Sequence, residues 1–168
     1  RVFCGGLVLH LGREKGQTLM KRRDARESAF QLIFEKSFQK ETMQELLDQA
    51  VAWRALEVDD YARRLALLTE EHLEELDAGI ERFLTGWKLN RLPRVTLALL
   101  RLSFCELEHF PDIPVRVSIN EAVELAKKYA TEEDASYING VLGAFVRETA
   151  LVKDPADAEP ADAKKDEP

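Results

Sequence analysis

The chain has 168 residues, enough for one domain or two small halves sharing a core, and 45% of them are apolar. A net charge of −7 argues against an indiscriminate nucleic-acid binder, but residues 1–40 carry +5 and residues 41–168 carry −12, which points to a localised anion site on an acidic body. Two distant cysteines, Cys4 and Cys105, provide neither a disulfide framework nor metal-ligand spacing, and Cys105 reads as a buried thiol on an apolar helix.

Residues 1–19 fit poorly with the rest of the chain. Their short apolar run lacks both a basic leader and a small-residue cleavage site. Met20 is the natural first residue, so 1–19 is expected to be a disordered N-terminal extension or a misassigned start. Arg22 to Phe38 reads as the first helix, with Ala29, Phe30, Ile33 and Phe34 as its apolar stripe. Thr42 to Ala55 is the second, with Met43, Leu46, Leu47, Ala50, Val51 and Trp53 turned inward. Asp59 or Asp60 caps a long third helix running to about Leu84, and Gly86 marks its end. Its acidic cluster, Glu70, Glu71, Glu74, Glu75 and Asp77, reads as a solvated face. Pro93 suits the first turn of a fourth helix, Leu92 to about His109, which is apolar nearly all round and therefore central. The apolar run within it, Val95 to Leu107, contains Arg101 and is too short to span a bilayer, so the chain reads as cytoplasmic with no membrane partner.

Pro111 and Pro114 impose an extended approach to the next segment. Ser118-Ile119-Asn120-Glu121 has the pattern of a capping box, followed by a stripe of Ala122, Val123, Leu125, Ala126 and Tyr129 and by Lys127 and Lys128 in the last turn. Asp134 is a good N-cap for a last helix carrying Tyr137, Ile138, Val141, Leu142, Phe145 and Val146, in which Gly140 and Gly143 would admit another element closely. The stretch Tyr137 to Leu142 also carries an Asn-Gly hairpin signal. Its helical flanks and the lack of a partner strand favour a helix. From Lys153 onward nothing can anchor a core, so 20–152 reads as the domain and 153–168 as a disordered acidic tail.

Little in the chain calls for catalysis. His10, His72 and His109 are isolated, Glu121 is accounted for by the capping box, and no phosphate-binding glycine loop occurs. No catalytic residue, metal site or cofactor is expected. The amino end of the first helix is more informative. Lys21, Arg22, Arg23 and Arg26 crowd a place where cations oppose the helix macrodipole, at a cost of a few tenths of a kcal/mol each. Arg22, Arg23 and Arg26 fall on an arc overlapping the Phe30/Ile33 stripe, so they continue the buried face past the end of the core as a phosphate-binding rim. Against this stands a basic end that merely snorkels. Readers of single-stranded RNA also need aromatic platforms, for which Phe34 and Tyr137 are the candidates.

The block DIPVRVSINEAVELAKKYA, followed by SYINGVLGAF, closely resembles the C-terminal half of the NusB transcription antitermination factors, and MKRRDARESAFQLIF resembles their arginine-rich first helix. The resemblance spans roughly Met20 to Ala150. It implies an all-α fold, a NusB-like helical bundle of two packed halves meeting near Trp87 to Leu92. It also implies binding of boxA-type single-stranded RNA from rRNA operon leaders together with ribosomal protein S10 (NusE). The pair would act on the RNA polymerase elongation complex with other Nus factors, making and breaking no bond. By resemblance Tyr137 matches the aromatic residue before Asn-Gly that is associated with RNA contact. Lys127 is kept as a candidate RNA contact, against the reading that a cation at a helix C-terminus is stabilising in any case. Asp24 interrupts the basic run and Thr131 to Ser136 is shorter than usual. Two rival readings are the similar helical domain of rRNA cytosine methyltransferases and an adaptor whose basic end binds protein.

Overall fold

The computed structural model describes residues 20–149. The expected extension at 1–19 and the expected tail at 153–168 lie outside the described residues, as do Cys4 and His10. The described residues form seven α-helices and one 3₁₀ turn, with no strand: α1 (Arg22–Lys36), α2 (Met43–Arg54), α3 (Asp60–Glu71), α4 (Leu73–Glu81), the 3₁₀ turn Leu89–Arg91, α5 (Arg94–His109), α6 (Val115–Tyr129) and α7 (Glu132–Thr149). The fold is the all-α bundle expected, and the Tyr137 to Leu142 stretch lies within α7.

Helix α5 is the axis. It packs against α1, α3 and α4 on one side and α6 and α7 on the other, so the halves α1–α4 and α5–α7 share it. Its apolar surface runs all round, with Leu99, Leu100, Leu102, Phe104 and Cys105 fully enclosed. Burial pushes the Cys105 thiol up to about 11, so it remains protonated at neutral pH and packs as a small apolar group. Phe104 stacks on Phe145 of α7 at 4.3 Å, and Phe83 packs edge-on against Phe145 at 5.6 Å. These rings fasten the end of the first half to the second.

Several helix starts follow their sequence signals and others do not. Thr42 and Glu45 form a reciprocal capping box on α2, and Asp59 caps α3 by accepting from the Ala62 amide. The box expected at Ser118 is not formed. Helix α6 begins at Val115, because the Pro114 carbonyl already accepts from the amides of Val117 and Ser118. Proline needs no amide partner at a helix start, and its fixed φ suits that position. Ser118 is therefore buried inside the helix, its hydroxyl without a partner, and Glu121 is free to reach α1. Asp134 is not the cap of α7 but the third helical residue, closing a capping box with Thr131. The Asp134 amide donates to the Thr131 hydroxyl at 3.1 Å, and the Thr131 amide donates to the Asp134 carboxylate at 3.2 Å.

The long third helix is interrupted at His72, where φ −101 and ψ 20 separate α3 from α4. The His72 ring stacks on His109 of α5, with centroids 4.4 Å apart. Trp53 and Val51 do not turn inward; Trp53 is 85% exposed. The buried face of α2 is Met43, Leu46, Leu47 and Ala50, which leaves Val51 and Trp53 on the solvent side. Among the described residues no element closes on Gly140, where a Cβ would meet nothing within 4 Å, and at Gly143 the nearest group is the helix's own Arg147.

Candidate nucleic-acid interface

The basic amino end of α1 is fixed in place. Lys21 is the N-cap residue, exposed, with its carbonyl receiving the Ala25 amide. Arg22 lies over the Tyr61 ring, 4.1 Å from its centroid, a cation–π contact that holds the guanidinium at the surface. Arg23 is forked onto Glu121 of α6, with contacts of 2.7, 3.0 and 3.2 Å, while its side chain remains 62% exposed. The Arg23 hydrogen bond, opposed by partial burial and aided by the charge of Arg26, holds the Glu121 carboxyl below its ordinary range.

Arg26 differs from its neighbours. It is 1% exposed and its guanidinium is spent inside the protein. Three contacts of 2.8, 3.0 and 3.2 Å go to Glu106, itself fully buried on α5, and one of 3.3 Å goes to Glu121. The Tyr61 hydroxyl donates to the same Glu106 carboxylate. The continuation of the apolar stripe through Arg26 is therefore literal, and no face of it is open to a phosphate. Its place is beneath the rim, where it also contacts Glu121, the carboxylate onto which Arg23 is forked.

Further along α1 the seam with α6 continues. Lys128 pairs with Glu27 at 2.6 Å, and the Tyr129 hydroxyl donates to that carboxylate. Burial works against the Glu27 carboxylate, but the hydrogen bonds from Lys128 and Tyr129 and the Lys128 charge hold its pKa below the usual range. Lys127 is exposed and tied only to Glu124, one turn back on its own helix, at 3.1 Å. Next comes an aromatic row. Tyr129 packs on Phe30, Phe30 on Phe34 and Phe34 on Phe38, at 4.9, 6.1 and 5.1 Å between centroids. Half-buried Phe34 walls an open groove of ≈ 420 Å³ with Phe38, Tyr129 and Val95 of α5. Arg94 stands over Phe38 at 4.5 Å and donates to the Ser37 carbonyl.

Tyr137 does not join the α1 seam directly. It walls a second open groove, of ≈ 490 Å³, with Glu133, Ser136, Gly140 and Val141 of α7 and Thr85 of the α4–α5 loop. The first turn of α5 touches both α1 and α7: Arg94 reaches Phe38, just past the end of α1, and Thr96 donates to Asp134 of α7 at 3.0 Å. The Tyr137 hydroxyl is enclosed and makes no well-formed hydrogen bond, the Thr85 backbone being the polar group facing it. Burial raises its pKa. One flank of the ring remains on the groove, the arrangement an aromatic base platform needs.

Sequence reasoning passed over Arg94, Phe38 and Glu106. A cation in the first turn of α5 opposes the macrodipole as the α1 arginines do, and that signal was available for Arg94. A lone carboxylate at position 106 in an apolar helix was the corresponding signal for a buried cationic partner. Among the described residues no group of three His, Cys, Asp or Glu is placed to hold a metal ion, and no helix is long and apolar enough to cross a membrane.

Comparison with known proteins agrees with this geometry. A sequence model of the NusB family matches residues 23–147. The chain is 41% identical over 133 residues to the transcription antitermination protein NusB of Thermoanaerobacter sp., covering 79% of this chain and 94% of that one. It is 43% identical over 130 residues to the corresponding protein of Acetivibrio thermocellus, covering 76% and 90%. Among solved structures it is similar to T. maritima NusB, with a TM-score of 0.69 at 34% identity, covering 77% of this chain and 92% of that one. It is also similar to a chain from a crystal structure of the antitermination factors NusB and NusE in complex with dsRNA, with a TM-score of 0.68 at 31% identity, covering 76% and 96%.

Proposed function

This chain belongs to the NusB family, and from that premise we propose that it is an RNA-binding transcription antitermination factor. It holds a boxA-type single strand and recruits ribosomal protein S10 (NusE), and the assembly acts on the RNA polymerase elongation complex in the cytoplasm. The observation that carries this reading is the amino end of α1. Three exposed cations, Lys21, Arg22 and Arg23, are gathered at a helix start that disfavours them, in a protein of net charge −7. Such a cluster is what a phosphate backbone requires.

The RNA contacts are divided by chemistry. Lys21, Arg22, Arg23 and Lys127 take phosphates, while Phe34 and Tyr137 take bases on their rings. Arg26 supports this surface from beneath. The protein acts by binding, with no bond made or broken. The direct test is fluorescence anisotropy of a labelled boxA-type RNA titrated with the protein, with and without NusE. Saturable binding that tightens with NusE is expected. Equal affinity for boxA-type and scrambled RNA, unaffected by NusE, would overturn the reading.

A further inference from the structure

The loop joining α4 to α5 carries an exposed tryptophan. Gly86 adopts a left-handed turn at φ +76, and Trp87, immediately after it, is left 55% exposed. A single exposed apolar side chain is ordinary, but the surroundings of Trp87 are not. Lys88 and Arg91 lie one and four residues on. Both are exposed, and among the described residues neither finds an acidic partner. Two residues before Trp87, Thr85 forms a wall of the ≈ 490 Å³ groove that holds Tyr137. Trp53, the other exposed tryptophan, has a different setting, since its neighbour Arg54 is tied to Glu35 at 2.8 Å.

An exposed aromatic flanked by unpaired cations, two residues along the chain from a groove walled by another aromatic, is the pattern of a single-strand track. The charges set its direction. Glu133 lies on the α7 wall of the groove, where it repels a phosphate but can accept from the amino group of a base. No cation lines the groove itself, and the loop that supplies its Thr85 wall carries Lys88 and Arg91. A strand lying there would turn its bases toward Tyr137 and its phosphates toward Lys88 and Arg91.

We infer that the α4–α5 loop is a second RNA-contacting element, in which Trp87 stacks the nucleotide next to the one on Tyr137 and Lys88 and Arg91 hold its flanking phosphates. The inference rests on the RNA-binding function proposed for the α1 rim and extends the bound strand past α7 onto the first half of the protein.

The chain has two tryptophans, so a Trp53→Phe protein leaves Trp87 as the only fluorescent indole. BoxA-type RNA, with NusE present, should quench that emission with the same midpoint as the anisotropy of the labelled RNA. Trp87→Ala should weaken binding about five- to a hundredfold, as for one stacked base. Lys88→Ala with Arg91→Ala should lower the slope of log affinity against log salt by roughly 1.4. Thermal melting checks that each variant folds, and these exposed side chains should leave it nearly unchanged. RNA binding with unquenched Trp87 and unweakened Trp87→Ala overturns this inference alone. Quenching by NusE alone, unchanged by RNA, assigns the loop to the protein partner and equally overturns it. Absence of any RNA binding by the wild-type protein with NusE overturns the RNA reading and this inference together.

Discussion

Replacing Arg26 with alanine tests the most consequential assignment, that this arginine belongs to the core and not to the RNA surface. The substitution removes four contacts at once, three to Glu106 and one to Glu121. Glu106 is fully buried, and its carboxylate would keep only the Tyr61 hydroxyl. Removing one partner of a buried pair costs about 3–5 kcal/mol, because the other charge stays desolvated. At about 2–4 °C per kcal/mol for a protein of this size, the melting temperature should fall by roughly 6–20 °C in calorimetry. Combining Arg26→Met with Glu106→Leu and Tyr61→Phe removes the stranded charge and hydroxyl and should recover most of that loss. At a temperature where Arg26→Ala is still folded, its RNA affinity should keep the wild-type salt slope, since the enclosed guanidinium meets no phosphate. A slope lower by about 0.7, the mark of one lost phosphate contact, in a protein of undiminished stability would refute the reasoning.

Glu121→Gln removes the anion that competes with RNA for Arg23, so affinity at low salt should rise roughly two- to fivefold, the range for one exposed ion pair; anisotropy measures it, and a weakened complex would contradict it. Tyr137→Ala should weaken RNA binding by about five- to a hundredfold with an unchanged salt slope. Tyr137→Phe should bind as the wild type does, because the hydroxyl has no well-formed partner in the fold. Acid should loosen the α1–α6 seam. The folded pKa values of Glu121 and Glu27 are depressed, so their stabilisation is complete above the unfolded carboxylate value of about 4.3 and is lost as pH falls through the folded values. A plot of melting temperature against pH should therefore drop below about pH 4.3 less steeply for Glu121→Gln than for the wild type.

The helices were legible because their apolar stripes are regular, and α5 was recognisable as the axis from its lack of a polar face. What could not be read locally depends on partners distant in the chain. The interruption at His72 lies in an unremarkable Glu-Glu-His-Leu-Glu-Glu run and coincides with the stacking of His72 on His109, brought there by α5. Ser118 offered a good cap signal, but Pro114 starts the helix first, and a sequence with two adjacent start signals does not say which prevails. Arg26 was correctly placed on the buried arc and then assigned outward, because Glu106 lies 80 residues away. The site was legible as an inventory of cations and rings. Its division into exposed cations, groove-lining rings and a buried arginine required the tertiary contacts.

In the proposed function the exposed cations of α1 hold the RNA, and the salt dependence of that binding addresses them most directly. Affinity for a boxA-type RNA, with NusE present, should be measured across a salt series for the wild type and for Arg22→Glu combined with Arg23→Glu. Both side chains are exposed, so the variant should still fold, with a melting temperature lowered by the loss of the Arg23–Glu121 pair. Its RNA affinity should collapse, and the slope of log affinity against log salt should fall by at least about 1.4 as two phosphate contacts disappear. A folded variant that binds RNA with wild-type affinity and slope would contradict the claim that this end of α1 holds the RNA.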